Sequence, residues 1–286
     1  MVDLSVVIVS WNTRELLRGC LWSVVSCQSS VVSSQPSPSM MPKTDNCKLK
    51  TEIIIVDNAS TDGSAGMVRA EFPATTVIVN AENVGFARAN NQGIRASQGR
   101  YIVLLNSDTL VPPGALAALV AFMDAHPEAG AVGARLRRPD GTPQPFAFGG
   151  DPTLRYLLRR GINRFLLRRP LHDWATDAIQ PVDWVSGACL MVRCAAIDQA
   201  GLLDENIFMY FEDNDWCLRI RQAGWKVYYD PQVAITHIGG QSLAQNPAAR
   251  RAYGDSLRYF YAKHYGSGAL TLLTLCLPFY RRLLRP

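Results

Sequence analysis

The chain has 286 residues, of which 48% are hydrophobic and 19% are charged, an ordinary globular composition that allows a sizeable core. Its glycine and proline contents exclude collagen-like and wholly disordered chains. The net charge is +5, and two segments without acids supply the excess: residues 154–169 carry six arginines and residues 269–286 carry three. Nucleic-acid-binding proteins usually spread basic charge more widely, so we expect no nucleic-acid partner. Two local patches instead favour a phosphate-bearing or membrane-surface partner, with a solvated surface as the alternative.

No apolar run reaches the roughly 18–20 residues of a membrane span. Asp3 and the lack of a basic leader predict that the chain has no signal peptide. The seven cysteines are odd in number and form no Cys-x-x-Cys pair, which argues against a disulfide framework or a zinc module. Together these features predict a cytoplasmic protein.

Strand and helix patterns alternate through the first half of the chain. Helix patterns begin near Asn12 and near Asp62, cover residues 85–97, and run from Pro112 or Pro113 to about residue 125. Apolar, β-branched runs predict the strands, which are residues 4–9, 52–56, 76–79, 101–105 and 131–134. This order predicts an α/β fold with a mainly parallel, Rossmann-like central sheet and helices on both faces. Ligands bind such sheets beyond the carboxyl ends of the strands.

The remaining segments are less regular. Residues 28–50, rich in Ser, Pro and Lys, predict a long, mobile surface insertion, and residues 135–180 read as irregular. A second pattern follows, with strands at 189–192 and 225–229 and a helix at 213–222. Residues 247–264 predict a terminal helix.

Four groups of residues could carry chemistry. In residues 57–64, Asp57 could accept hydrogen bonds from a base or ribose at the edge of the sheet, although a capped turn is the plain alternative. Asp108 ends an apolar strand and could hold Mg²⁺ or Mn²⁺, although a turn or helix cap is the ordinary reading. Residues 208–216 combine three acids with four aromatics; a partly buried carboxyl there would suit a general base, and acids at a helix start are the plain alternative. His237 precedes two glycines that permit close approach of a ligand, but a lone histidine is more often structural.

The order and spacing of these blocks resemble the inverting glycosyltransferase family 2, which has the GT-A fold. The resemblance runs from about residue 4 to residue 240 and is specific because six blocks occur in order. Within the family, the chain looks most similar to enzymes that transfer rhamnose or a related deoxysugar in bacterial cell-surface polysaccharide assembly. The matching blocks are Val6–Asn12, Ile54–Ser64, Asn83–Gly93, Leu104–Thr109, Ser186–Arg193 and Glu212–Asp213.

The resemblance implies how a nucleotide sugar would bind. Asp57 would contact the nucleotide base, with Ser10 and Asn12 beside it. Arg88 would meet the nucleotide or its phosphates. The donor would be a nucleotide-diphosphate sugar of dTDP or UDP type.

The resemblance also implies a metal site and a base. Asn106, Ser107 and Asp108 stand where the family has its Asp-x-Asp motif, so they would contact the nucleotide sugar. Asp108 would hold Mg²⁺ or Mn²⁺, completed by His237, while Asn106 replaces the usual first Asp and removes one negative charge.

Asp213 matches the catalytic base, with Glu212 beside it. Trp184 and Tyr210 would lie on the acceptor side, with core packing as the alternative. Asp213 would take the proton of the acceptor hydroxyl as it attacks the anomeric carbon opposite the leaving group, which inverts that centre.

The implied domain plan is a GT-A domain over residues 1–245, with a nucleotide-sugar half at 1–134 and an acceptor and catalytic half at 135–245. Residues 246–286 would form a C-terminal helix and a basic, apolar tail. We expect a glycan or lipid-linked acceptor and peripheral attachment to an anionic surface on the inner face of the cell membrane.

Two other functions compete with this one. The first is a sugar-nucleotide pyrophosphorylase. Enzymes of that class share a Gly-rich basic loop after the first strand, whereas residues 10–14 of this chain contain no glycine, which argues against this function. A degenerate, non-catalytic sugar-binding relative is supported by Asn106, whereas the intact Asp108, Asp213 and His237 argue against it.

Overall fold

The computed structural model describes residues 2–29, 49–239 and 247–283. Most of the predicted insertion at residues 28–50 lies outside the described residues, as does the predicted boundary at residue 245. The division into two halves and a tail stays a prediction.

The strands in the described part of the chain are β1 Val2–Ser10, β2 Thr51–Asp57, β3 Thr76–Val79, β4 Gly99–Asn106, β5 Thr109–Leu110, β6 Ala129–Arg137, β7 Phe148–Gly149, β8 Gln180–Pro181, β9 Trp184–Val185, β10 Cys189–Arg193 and β11 Lys226–His237. Nine of these described strands form a central mixed sheet in the order β3-β2-β1-β4-β10-β6-β11-β5, with β8 beside β11. Strands β1, β2, β3 and β4 are parallel to one another, and β6 is parallel to β11. Strand β10 is antiparallel to both β4 and β6, and a separate pair joins β7 to β9.

Helices flank this sheet, which confirms the predicted α/β fold. The central strands are buried almost throughout, because apolar side chains from both of their faces enter one continuous core with the helices. The helices are α1 Arg14–Ser29, α2 Ser64–Glu71, α3 Phe86–Ala96, α4 Ala115–Ala125, α5 Leu154–Phe165, α6 Cys194–Ala200, α7 Glu212–Gln222, α8 Pro247–His264 and α9 Gly266–Leu283.

The prediction that residues 135–180 are irregular is wrong at α5. Thr153 caps this helix, since its side chain accepts a hydrogen bond from the Tyr156 N–H. Leu154 and Leu157 pack against a second apolar cluster that α8 and α9 provide, with Phe260 fully buried in it. Contacts distant in sequence therefore stabilise this helix.

Strand register brings the predicted ligand-binding residues to one edge of the sheet. Ser10 lies opposite Asp57 in the β1–β2 ladder, and Val9 lies opposite Asn106 in the β1–β4 ladder. The carboxyl ends of β1, β2 and β4 thus meet side by side, as a parallel sheet requires.

Candidate functional site

The loops after β1 and β2 are tied together by side chains. The Asn12 Oδ1 atom accepts a hydrogen bond from the Thr61 N–H at 2.8 Å, and the Asn12 N–H donates to Ser60 Oγ at 3.0 Å. Asn12 itself has a φ of 54°, in the left-handed region where asparagine is tolerated. The structure therefore places Asn12 against the loop that follows Asp57.

A chain of hydroxyl groups links the ends of β1 and β4. Ser10 Oγ lies 2.9 Å from Thr13 Oγ1, which lies 2.9 Å from Ser107 Oγ. Thr13 was not among the candidates from the sequence, because a threonine before a helix reads as an ordinary capping residue.

Asp57 has a free acceptor at the edge of the sheet. Its side chain is 2% exposed, and Oδ2 accepts a hydrogen bond from the Ser60 N–H at 3.2 Å. Oδ1 is buried and has no hydrogen-bond partner among the described residues. A buried carboxylate oxygen without a donor is unfavourable, so this atom is suited to accept a hydrogen bond from a bound ligand.

Asn58 organises the adjoining loop, a role that the sequence did not assign to it. Its side chain accepts hydrogen bonds from Asn80 Nδ2 and from the Val84 N–H, both at 3.0 Å, and donates to Asn83 Oδ1 at 2.8 Å. Asn58 lies in the block Ile54–Ser64, but asparagine after a strand is also a common turn former.

Arg88 lies on the first turn of α3 and pairs with an acid from another segment. Its Nε atom donates to Glu205 Oε2 at 3.0 Å, and Arg95 and Asn91 also contact that carboxylate. The side chain of Arg88 is 52% exposed. The structure therefore brings Arg88 to Glu205, and its predicted contact with the nucleotide stays a prediction.

Asp108 and His237 meet where β5 pairs with the end of β11. His237 Nε2 lies 3.2 Å from Asp108 Oδ1, and the Asn106 Nδ2 atom lies 3.3 Å from the same nitrogen. The Gly239 N–H donates to Asp108 Oδ2 at 3.1 Å. Burial opposes ionisation of Asp108, but His237 and the Gly239 N–H outweigh it and hold the pKa of that carboxyl below its ordinary value.

Gln144, in the loop after β6, orients His237. Its Oε1 atom lies 3.0 Å from His237 Nδ1, and an amide oxygen can only accept, so Nδ1 carries the proton. This contact turns Nε2 of His237 toward Asp108 and Asn106. Across the described residues, no group of three or more His, Cys, Asp and Glu side chains is placed to hold a metal ion.

Asp213 lies on the first turn of α7 and faces β10. Its Oδ2 atom accepts a hydrogen bond from the Gly187 N–H at 3.1 Å, and the next carbonyl, that of Ala188, accepts from the Asn106 N–H at 3.1 Å. The short run of residues 187–188 thus connects Asp213 with the end of β4. The predicted base and the predicted metal motif are therefore on adjoining backbone.

Glu212 and Asp213 form an adjacent carboxyl pair in which Glu212 is buried and Asp213 is half-buried. Burial raises the pKa of Glu212 to about 8, and the charge of Asp213 adds to that rise. Burial likewise raises the pKa of Asp213, opposed by the Gly187 and Asn214 N–H groups. Glu212 Oε2 is buried without a partner among the described residues. Two interacting carboxyls lose their protons in separate steps, so one can be ionised and act as a base while the other keeps its proton.

The backbone before this pair is strained. Tyr210 and Phe211 both have a φ of 67°, which is costly for aromatic residues. Phe211 is held in the second apolar cluster, and the Ser256 hydroxyl of α8 donates to the Met209 carbonyl at 2.8 Å. The Tyr210 hydroxyl is buried without a partner among the described residues, and its ring lies near Tyr253 of α8.

Trp184 approaches the base through Asn214. In the amide orientation that satisfies both neighbours, Asn214 donates to Asp213 Oδ1 at 3.1 Å and accepts from Trp184 Nε1 at 3.0 Å. The same Trp184 nitrogen lies 2.9 Å from the Gly150 carbonyl. The structure thus places Trp184 beside Asp213, on the side of the α5 region.

Comparisons with known proteins agree with this geometry. Residues 5–151 match the model of Glycosyl transferase family 2, and residues 101–284 match that of Glycosyl transferase family group 2. The N-acetylglucosaminyl-diphospho-decaprenol L-rhamnosyltransferase of Mycobacterium tuberculosis is 30% identical over 261 residues, covering 83% of this chain and 84% of that protein. The dTDP-rhamnosyl transferase RfbF of Shigella flexneri is 26% identical over 207 residues, covering 70% of this chain and 63% of that protein.

A solved structure shares the fold. The mannosyltransferase PcManGT from Pyrobaculum calidifontis, in complex with GDP-Man and Mn²⁺, superposes with a TM-score of 0.60 at 20% identity. The superposition covers 93% of this chain and 64% of that protein. The chain therefore belongs to glycosyltransferase family 2, is a glycosyltransferase of the GT-A fold, and is similar to the rhamnosyltransferases of that family.

Proposed function

We propose that the protein is an inverting, metal-dependent glycosyltransferase that moves a sugar from a nucleotide-diphosphate donor to a hydroxyl of a lipid-linked acceptor in cell-surface glycan synthesis. The donor sugar is rhamnose, carried on dTDP or UDP. Support comes from two of the rhamnosyltransferases among its relatives, one of which is named for a diphospho-decaprenol acceptor and the other for a dTDP donor.

The observation that carries the proposal is the placement of Asp213. Inverting transfer needs one base that takes the proton of the acceptor hydroxyl while it attacks, and no covalent enzyme intermediate. Asp213 accepts a hydrogen bond from the Gly187 N–H, is half-buried with a raised pKa, and adjoins the strand end where the donor diphosphate would lie. A raised pKa makes the carboxylate a stronger proton acceptor than an exposed aspartate.

Asp108 and His237 fit a divalent metal. Because Gln144 accepts from Nδ1, the Nε2 atom of His237 faces Asp108 Oδ1 at 3.2 Å, and a shared cation or a second proton on the ring would satisfy both atoms. One carboxylate and one imidazole form a donor set that Mn²⁺ accepts, and diphosphate oxygens and water would complete it. A metal ion bound there would neutralise the charge that develops on the leaving diphosphate.

Donor binding is assigned to the residues at the ends of β1, β2 and β4. The free Oδ1 atom of Asp57 accepts from an N–H of the nucleotide base, with Asn12 and Ser10 forming the adjoining wall. Asn106 and Ser107 lie next to the metal pair and contact the ribose or the phosphates. Arg88 reaches the phosphates with the guanidinium N–H groups that do not bind Glu205.

We also assign the outer face of α5 to the inner surface of the cell membrane. None of the helices within the described ranges is long and apolar enough to cross a bilayer. Leu158, Ile162 and Phe165 share one helical face and are 67%, 42% and 38% exposed, with Arg155 and Arg159 beside them. Apolar side chains flanked by arginines are typical of helices that lie in the interface of an anionic membrane.

Thermal unfolding in the presence of nucleotide sugars, with and without Mn²⁺, tests the proposed function. A ligand that binds only the folded state raises the melting temperature by mass action. We expect dTDP-rhamnose or a UDP-sugar to raise it in the presence of Mn²⁺ and much less in excess EDTA. A panel of nucleotide sugars that leaves the melting temperature unchanged contradicts the proposal.

A further inference from the structure

A cleft outside the donor site lies between α5 and the loops at residues 145–146 and 168–174. It encloses about 420 Å³, within the usual size range of ligand sites. Four arginines line it, and its described lining residues include no acid. The four are Arg160, Arg164, Arg168 and Arg169.

The positive charge of this cleft is not neutralised by the protein. Within the described residues, none of the four arginines forms an ion pair with an acidic side chain. His172, another lining residue, has a lowered pKa because it is buried and because Arg160 lies close by. Like charges gathered without acids repel one another, so a bound anion would stabilise the arrangement.

The cleft is partly preorganised. The guanidinium group of Arg160 lies 4.8 Å from the centre of the Phe146 ring, and that ring packs on Trp174 with 5.1 Å between centres. Trp174 is fixed by its Nε1–H, which donates to the Phe148 carbonyl at 3.0 Å. An arginine stacked on an aromatic ring keeps its N–H groups free for phosphate oxygens.

The cleft also adjoins the catalytic edge of the sheet. Phe146 lines it, and only Pro145 separates Phe146 from Gln144, whose Oε1 atom lies 3.0 Å from His237. On the other side, Gly149 pairs with Trp184, the residue beside the base. An acceptor sugar at Asp213 would therefore have its anionic linkage within reach of this cleft.

The two faces of α5 divide its arginines. Arg160 and Arg164 lie one turn apart on α5 and line the cleft, and Arg168 and Arg169 join them from the segment after the helix. Arg155 and Arg159 do not line the cleft and flank the outward apolar face. Arg160 and Arg164 therefore lie on a different side of α5 from Arg155 and Arg159.

We propose that this cleft binds the diphosphate of a prenyl-diphosphate-linked acceptor, with Arg160 and Arg164 as the principal contacts. The inference rests on the proposed function, because it names the anionic group of that acceptor and the residues that bind it. Two phosphates carry more charge than one phosphodiester, and four convergent guanidinium groups match a compact dianion or trianion better than a single lipid headgroup.

Calorimetric titration of the full chain with farnesyl diphosphate tests this site. The Arg160→Gln/Arg164→Gln variant removes two charges from the cleft, and Arg155→Gln/Arg159→Gln removes two from the outer face as a matched control. We expect the first variant to weaken farnesyl diphosphate binding about tenfold or more. The control should change that affinity by no more than about twofold, because exposed charges at a distance are screened by salt.

Three further measurements make the result decisive. Farnesyl monophosphate should bind the wild type more weakly than the diphosphate does. Co-sedimentation with phosphatidylglycerol vesicles should fall in the outer-face variant more than in the cleft variant. The melting temperature and its rise with nucleotide sugar should be alike in the wild type and both variants. A wild type whose melting temperature does not rise with nucleotide sugar would contradict the proposed function, separately from the cleft assignment.

Several results overturn the cleft assignment. Wild-type protein that does not bind farnesyl diphosphate overturns it, and so does a cleft variant that binds it like the wild type. Equal weakening in both variants shows that total charge, not the cleft, attracts the ligand. A cleft variant that loses only vesicle binding assigns the arginines to lipid headgroups instead.

Discussion

The Nδ1 atom of His237 lies 3.0 Å from the Oε1 atom of Gln144, although 93 residues separate them in the chain. This contact fixes the tautomer of the imidazole and directs Nε2 toward Asp108. Histidines that bind metals are usually oriented by such an acceptor on the other ring nitrogen, and loss of that partner weakens the metal site.

Gln144→Ala should therefore lower the affinity for Mn²⁺ by about tenfold or more. Manganese binding followed by electron paramagnetic resonance measures this directly. Thr142→Ala is the control, because the Thr142 hydroxyl belongs to the same loop but donates to Asp140. Equal Mn²⁺ affinity in the Gln144 variant and the control would show that the contact does not orient a metal ligand.

Gly85, at the start of α3, has no room for a side chain. Its φ is 89°, and an added Cβ would lie 2.7 Å from Phe208 Cδ2 and 3.0 Å from the Phe208 carbonyl oxygen. Gly114, with a φ of 80°, has nothing within 4 Å of an added Cβ. Gly85→Ala should thus lower the free energy of unfolding, measured with urea, by about 1–3 kcal/mol more than Gly114→Ala does. Both alanines have a strained φ, but only the one at position 85 also overpacks a neighbour. Equal losses would refute the close packing of Phe208 on Gly85.

Asp215 links the helix of the base to α8. Burial opposes its ionisation, but Arg219, Lys263 and His264 outweigh that effect and hold its pKa below the ordinary value. Asp215→Asn should cost about 3–5 kcal/mol at pH 7, because a buried ion-pair network loses its anion. Asp255→Asn, which affects the exposed pair with Arg258, should cost at most about 1 kcal/mol.

The pH dependence of this loss has a definite sign. A carboxyl whose pKa is lowered by folding stabilises the protein above its unfolded-state pKa, and that contribution disappears as the pH falls through the folded-state value. The stability difference between wild type and Asp215→Asn should therefore be full at pH 7 and shrink below about pH 4. A difference that stays constant over this range would argue against ionised Asp215.

Glu212 should show the opposite dependence. Folding raises its pKa from 4.5 to about 8, so the folded protein retains a proton that the unfolded chain has already lost. The wild type therefore loses stability as the pH rises from about 4.5 to 8. Glu212→Gln removes this loss. The melting temperature of the variant minus that of the wild type should therefore be at least about 2 °C larger at pH 8 than at pH 5. Melting differences that do not change with pH would contradict the raised pKa.

The central sheet could be predicted from the sequence because its buried strands are continuous apolar runs followed by turn residues. Residues 4–9 and 101–105 lie inside β1 and β4, and both strands carry the expected polar residues at their ends. The helix α5 could not be predicted in the same way, because its inward leucines pack on a cluster formed by residues about 100 positions later in the chain.

The residues of the candidate site that lie in sequence motifs could be predicted. The residues that act through tertiary contacts with those residues could not. Asp108 and Asp213 could be selected from their blocks, and His237 from its place before two glycines and from the family resemblance; the structure places Asp108 and His237 in contact. Gln144 acts through a hydrogen bond to a segment distant in sequence, so no local pattern indicates it. Asn58 lies in a matching block, but its bonds to Asn80, Asn83 and Val84 are tertiary contacts that the block does not show. The ion pair of Arg88 with Glu205 is likewise a tertiary contact that spacing does not show.

The most direct test of the central claim compares transfer by the wild type and by Asp213→Asn with the same donor and acceptor. The amide keeps the shape of the side chain but cannot take the proton, so the transfer rate should fall by about 10²–10⁴-fold. Affinity for the nucleotide sugar should stay within about twofold, because Asp213 acts on the acceptor. Near-normal turnover by the Asn variant would contradict the assignment of Asp213 as the base.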